Sequence, residues 1–232
     1  MFKQFILCLS LVAFPVAANM VKGGKSGKMM GDSSSSSDDT VTTLTLKITN
    51  ISVRQPFAPF FAMTHNEMAD PLYEFGSPST DELAMLAETG NPAGLVGLYT
   101  AMDGVGDVFA FNEGFPYFGG DSLSFEVNVS EDYPYVTIAA MAIHTNDCFV
   151  AINGMMLKKG DVLFLPGLDS GSEENNELCG SIPGPACSSV DGNTADGNGE
   201  GFVHIHPGFF GIGNLPDGRY DWKNPMVQVK VM

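Results

Sequence analysis

Ser-Leu-Ser-Phe-Glu-Val-Asn-Val-Ser (122–130), followed closely by Tyr-Val-Thr-Ile-Ala-Ala-Met-Ala-Ile (135–143), decides the fold class. In the first run Leu123, Phe125, Val127 and Val129 alternate with polar residues, which is the two-residue period of a half-buried strand. The second run is apolar throughout, the mark of a central strand. Working outward, Leu44, Leu46 and Ile48 alternate within 42–53, and the pattern slips at Asn50-Ile51, at a bulge or at the strand end. Val227, Val229 and Val231 form a last alternating strand. Further strands are expected at 107–111, 148–152, 162–165 and 202–206, with a turn near Asn153-Gly154. The Pro- and Phe-rich stretch 55–66 reads as an extended buried segment.

One region departs from this pattern. Thr80 can cap a helix whose first turn holds Asp81 and Glu82 and whose apolar stripe is Leu83, Leu86 and Ala87. Gly90 ends it, and Asn91-Pro92 opens a second short helix burying Leu95, Leu98 and Tyr99. The fold expected is therefore all-β, an antiparallel β-sandwich with a short helical insertion around residues 80–100.

The ends set the compartment. Residues 1–18 have a basic start at Lys3, an apolar core from Phe5 to Phe14 and a small-residue Val16-Ala17-Ala18 close, which reads as a secretory signal peptide. Residues 19–40 are rich in Gly, Lys, Ser and Asp and read as a flexible leader, leaving 41–232 as the folded domain. The expectation is a secreted, extracellular protein (periplasmic in a Gram-negative source) without a transmembrane segment. The net charge of −16, made one unit more negative by loss of Lys3, repels phosphate backbones and argues against nucleic acid as a partner. Of the four cysteines, Cys8 lies in the signal. Cys179 and Cys187 bracket a short Pro/Gly loop and are expected to form a disulfide, and Cys148 is expected as a buried free thiol. Asn50-Ile-Ser and Asn128-Val-Ser match the N-glycosylation acceptor pattern.

Two acidic segments carry the functional signal. Thr-Asn-Asp-Cys-Phe-Val-Ala-Ile (145–152) places Asp147 at the mouth of an apolar strand, and Leu-Asp-Ser-Gly-Ser-Glu (168–173) places Asp169 and Glu173 on either side of Gly171. If the strands 148–152 and 162–165 neighbour each other, three carboxylates converge at one end of a sheet. A hard cation needs such an oxygen cluster on a bendable loop; three solvated loop acids would show the same spacing. Residues 169–200 carry seven acids and no Lys or Arg. Within them 191–200 resembles a calcium loop but places Asp196 where an EF-hand needs glycine, so a second ion site and a plain acidic insertion both remain open.

These two segments resemble the signature of the spondin N-terminal domain family, of the F-spondin and mindin type. There Ser-Pro-Asp-Trp precedes a strand and Trp-Asp-Ala-Gly-Thr-Asp follows another. Here both tryptophans are replaced and Glu173 stands for the last Asp, while the carboxylates keep their register. Leu86-Ala-Glu-Thr-Gly-Asn-Pro92, Val203-His-Ile-His-Pro-Gly-Phe209 and Tyr220-Asp-Trp-Lys-Asn-Pro-Met-Val227 resemble segments of bacterial-type members, and the likeness covers most of 44–231. The resemblance implies a calcium ion held by Asp147, Asp169 and Glu173, in a non-enzymatic binding or adhesion module of the extracellular matrix kind, with an extracellular protein or glycan as partner.

His204 and His206 carry the competing reading. His-x-His on a strand puts both rings on one face, as in metal-dependent enzymes, but no carboxylate follows until Asp217. A third reading is a purely structural secreted domain. The lone His65 reads as a structural hydrogen-bonder.

Overall fold

The computed structural model describes residues 40–187 and 198–232. The signal peptide, nearly all of the leader, and all of the 191–200 loop except its last three residues lie outside the described residues.

Two antiparallel sheets face each other. The first joins β4 (Ser122–Val129), β1 (Thr42–Asn50), β10 (Val227–Val231) and β7 (Val162–Leu165), in that order. The second joins β3 (Val105–Phe111), β2 (Phe60–His65), β5 (Tyr135–Met141), β6 (Cys148–Met156), β8 (Leu168–Asp169) and β9 (His204–Ile205). The alternating residues of β1, β4 and β10 point inward as their pattern requires, and Leu44, Leu46, Ile48, Val127, Val229 and Val231 are buried against Val136, Ile138, Val150 and Ile152 of the second sheet. The all-β sandwich is therefore the observed architecture.

β5 is apolar on both faces because the second sheet is covered on both. Its outer face, with Phe61, Met63, Ala139, Phe149 and Ala151, packs under α1 (Asp81–Thr89) and α2 (Ala93–Thr100), which contribute Leu83, Leu86, Leu95 and Tyr99. Full burial of each such side chain stabilises the fold by about 1.5–3 kcal/mol. Thr80 Oγ1 accepts from Leu83 N at 3.2 Å, and Gly90 closes α1 in the left-handed conformation at φ 70°. Pro92 is the residue before α2 instead of its first, and the Asn91 side chain accepts from Ala93 N at 3.0 Å. Leu95 and Tyr99 are buried in α2, whereas Leu98 is only half-buried.

Three local expectations are corrected. Asn153-Gly154 is not a turn, since β6 runs through it to Met156. The Asn153 side chain is bound instead to Leu72 N and Tyr73 O, and Gly154 N donates to Thr137 Oγ1 at 2.8 Å, where the β5–β6 register shifts. β7 does not neighbour β6: it pairs with β10 in the other sheet, and the strand beside β6 is the two-residue β8. The Asn50 amide is buried and bound to Gln55 O, Tyr117 O and Ser52, so this Asn-x-Ser is consumed as a structural brace, while Asn128 is exposed.

Candidate metal centre

The site is assembled at one end of the second sheet. After β5, Thr145 Oγ1 donates to Ala142 O at 2.6 Å and accepts from Cys148 N at 3.1 Å, a tight loop that delivers Asp147 just before β6. β8 lies beside β6 with Cys148 opposite Asp169, and β9 lies beside β8 with Asp169 opposite His204. Carboxylates and imidazoles thus arrive on neighbouring strands. What β8 and β9 bring together is Asp169 and His204, and β7 takes no part.

Asp147 and Asp169 are each 0 % exposed and Glu173 is 1 % exposed, so these are not solvated loop acids. Asp147 Oδ2 accepts from Ser170 Oγ at 2.8 Å, Ser172 N at 2.9 Å and Glu173 N at 3.2 Å. Its Oδ1 is buried with no hydrogen-bond partner among the described residues. Burial holds the Asp147 carboxyl above the usual carboxylate range despite those donors, and the Glu200 charge adds to the rise. Asp169 Oδ1 accepts from Gly171 N at 2.8 Å and Oδ2 from Asn175 Nδ2 at 2.7 Å. Burial first, and then the Asp147 charge, push Asp169 up to about 7. A cation among these groups would reverse the penalty that raises them.

Glu88, on the buried side of α1, belongs to the same neighbourhood. Burial pushes its carboxyl up, the Ser172 hydroxyl pulls it down, and the Asp147 charge raises it again. No periodicity marked it, because an acid at the edge of an apolar helix stripe looks like any surface Glu. In the sequence Glu200 is only the end of an acidic loop. Its carboxylate meets Asp169 through the Asn175 amide, which donates to Asp169 Oδ2 at 2.7 Å and Glu200 Oε1 at 3.1 Å. Ligand atoms of Asp169, Glu200 and His204 lie within 4.8 Å of one another.

Glycine makes this meeting possible. Gly171 has φ 71°, and a Cβ there would stand 2.4 Å from Phe202 O. A Cβ on Gly199 would stand 2.3 Å from Gly171 O. The two backbones therefore touch, and Gly201 N donates to Gly171 O at 2.9 Å.

The two histidines share a face, as expected, but not a role. His204 Nδ1 lies 2.9 Å from Ile205 O, and a carbonyl only accepts, so Nδ1 carries the proton and Nε2 of the neutral ring presents a lone pair. That Nε2 lies 3.6 Å from Asp169 Oδ1 and 3.9 Å from Glu200 Oε2. His206 Nδ1 instead accepts from Gly208 N at 3.1 Å, so its neutral ring carries the proton on Nε2, 3.8 Å from Asp169 Oδ2. Burial, with the His204 charge, pushes His206 down to about 3, which keeps it neutral. Phe202 packs on the His204 ring and Trp222 on the His206 ring, with centroids 5.2 and 4.9 Å apart.

Several neighbouring groups are structural. The Glu177 carboxylate accepts from the backbone N–H groups of Phe210 and Ile212 and fixes that loop. His65 uses both ring nitrogens, on Asn66 O and Thr137 Oγ1. Cys179 and Cys187 are disulfide-bonded, and Cys148 is a free thiol at 0 % exposure whose pKa burial raises well above the ordinary value. Among the described residues no helix is long and apolar enough to cross a membrane. No family model matches the chain, and comparison with curated proteins finds no match.

Proposed function

We propose that this chain is a secreted, non-enzymatic domain that holds calcium through Asp147, Asp169 and Glu173, and that it acts as an extracellular binding or adhesion module of the spondin N-terminal kind. The observation that carries this reading is the Asp147 carboxylate: wholly buried, with Oδ1 lacking a hydrogen-bond partner among the described residues, beside an Asp169 pushed up to about 7. A buried carboxylate oxygen with no donor is costly, and a hard cation with oxygen ligands removes the cost. Oxygen donors suit calcium; among the described residues the groups whose ligand atoms already lie within 4.8 Å of one another are Asp169, Glu200 and His204, so calcium would have to draw Asp147 and Glu173 toward Asp169. Bound there, the ion would supply charge neutralisation and loop rigidity. The Cys179–Cys187 disulfide supports an oxidising compartment.

The test is thermal melting in chelator, calcium and magnesium. At calcium about ten times the dissociation constant, linkage adds roughly 1.4 kcal/mol. That raises the melting temperature by about 3–6 °C for a chain of this size. Magnesium does less, because it demands a small octahedral cage. Equal melting in chelator and in millimolar calcium defeats the reading.

The enzyme reading built on His204 and His206 as paired ligands is weakened by a specific observation. His206 spends its Nδ1 lone pair on Gly208 N and turns a protonated Nε2 toward Asp169.

A further inference from the structure

We infer that Asp169, Glu200 and His204 form a second cation site, selective for a borderline divalent ion of the zinc class, with His206 as a positioning residue behind Asp169. The site shares Asp169 with the calcium reading but does not rest on it.

Four observations lead there. First, the donor set is mixed: one imidazole nitrogen and two carboxylates, a combination that suits zinc better than calcium, which takes oxygen alone. Second, His204 is in the ligand tautomer. Its Nδ1–H is anchored on Ile205 O, the arrangement that metal-bound histidines use to fix ring orientation, and its Nε2 has no hydrogen-bond partner among the described residues.

Third, the spacing is wrong for direct bonds. An imidazole hydrogen-bonded to a carboxylate would sit about 2.7–3.2 Å away. Here Nε2 stands 3.6 and 3.9 Å from the two carboxylates. Two donors each bound to a tetrahedral zinc ion stand about 3.3–3.4 Å apart. The His204 imidazole therefore needs to approach the two carboxylates by only a few tenths of an ångström around an ion, and the two carboxylates lie within 4.8 Å of each other.

Fourth, the wall behind the site is prepared. His206, 4 % exposed, aims its Nε2, which has no hydrogen-bond partner among the described residues, at the far oxygen of Asp169, 3.8 Å away. The Asn175 amide donates to that same oxygen of Asp169 and to Glu200 Oε1, tying the two carboxylates together. The His204 and Glu200 side chains remain 25 % and 34 % exposed, so the ion would face solvent and keep a position open for water.

The test uses the full chain, stripped with chelator, dialysed metal-free, and titrated with zinc by calorimetry and with cobalt by absorbance. One equivalent of zinc binds. His204→Ala and Glu200→Gln each weaken binding by at least about tenfold, and His204→Ala also shifts the cobalt spectrum, since it removes the nitrogen donor. His206→Gln weakens binding by about tenfold with the cobalt spectrum preserved, as expected of a group that acts through a ligand. No stoichiometric zinc in the wild type, or unchanged affinity in both His204→Ala and Glu200→Gln, overturns the site. A spectral change in His206→Gln equal to that in His204→Ala overturns the positioning role. Calcium melting on the same preparations separates the two readings: a calcium shift without zinc binding defeats this inference alone, and zinc binding without a calcium shift defeats the carboxylate reading alone.

Discussion

Asp169 and His204 are cross-strand partners on β8 and β9, and their side chains come within 3.6 Å of each other at the open end of the second sheet. Each is the pivot of one half of the site. Asp169 faces the buried acids on one side and the imidazoles on the other, so its replacement has a sharper signature than that of any neighbour.

Asp169→Asn should abolish most of the calcium-induced melting shift. In chelator the cost should stay within about 1–3 kcal/mol: the change removes a buried acid beside Asp147 and keeps an oxygen for Gly171 N, but sets an NH2 against the Asn175 amide, where Asp169 Oδ2 accepted. Melting curves of the two proteins with and without calcium decide this. An equal calcium shift in both places the ion elsewhere.

The pH dependence of the chelated protein contains two opposing contributions. Asp169, raised to about 7, keeps its proton in the folded state where the unfolded chain has lost it. Its contribution is present below the ordinary carboxylate range and is lost as pH rises to about 7. His206, lowered to about 3, contributes stability present above the ordinary imidazole range and lost as pH falls to about 3. Between roughly pH 4 and 6.5, from the ordinary carboxylate to the ordinary imidazole range, the two slopes cancel in the wild type. Relative to wild type, Asp169→Asn should therefore gain stability as pH rises from about 4 to 7, and His206→Gln should lose it as pH rises from about 3 to 6.5. Melting temperatures across that range, with chelator throughout, are the measurement. Parallel curves for all three proteins contradict it.

The long strands were legible because each shows five or more residues of one period; β1, β4 and β10 bury the residues their alternation marks. Asp147, Asp169 and Glu173 stood out by their places beside two apolar strands and by the resemblance of two short motifs; their burial follows from the two-residue β8, not from β7. β8 and β9 have two residues each, too few for any period to show. Asn153-Gly154 carried a turn signal, but both residues are held by groups distant in sequence: Asn153 by Leu72 and Tyr73, Gly154 by Thr137. Glu88 and Glu200 reach the site through a helix packing on a sheet and through backbone contact between glycines, and neither leaves a local pattern. The different roles of His204 and His206 rest on single hydrogen bonds at Nδ1.

Cys148 should resist thiol reagents in the folded protein. It is wholly buried, and burial, with Asp169 and Asp147 nearby, suppresses the thiolate that reacts. In the chain without residues 1–18, a thiol reagent should label nothing in buffer, Cys148 alone in denaturant, and Cys179 and Cys187 as well only after reduction. Peptide mapping reads the result directly. Rapid labelling of Cys148 without denaturant contradicts the packing described.

Gly199 lies against the Asp169–Glu173 turn so closely that a Cβ would stand 2.3 Å from Gly171 O and 2.8 Å from Glu173 N. Both neighbours are backbone and cannot rotate away, so Gly199→Ala must displace either the turn or the strand segment leading to His204. Such overpacking costs about 1–3 kcal/mol. For a chain of this size that lowers the melting temperature by several degrees, at about 2–4 °C per kcal/mol. Glu200 is the next residue, so the displacement should also separate its carboxylate from Asp169 and weaken zinc binding by at least about tenfold, a loss like that from disturbing the shell around a metal ligand. Gly97→Ala is the control: nothing lies within 4 Å of the added carbon, and alanine in a helix is about 0.5–1 kcal/mol better than glycine. It should melt slightly higher with metal binding intact. Wild-type stability and zinc affinity in Gly199→Ala would mean that the two backbones are not in contact, and the approach of Glu200 to Asp169 would fail with them.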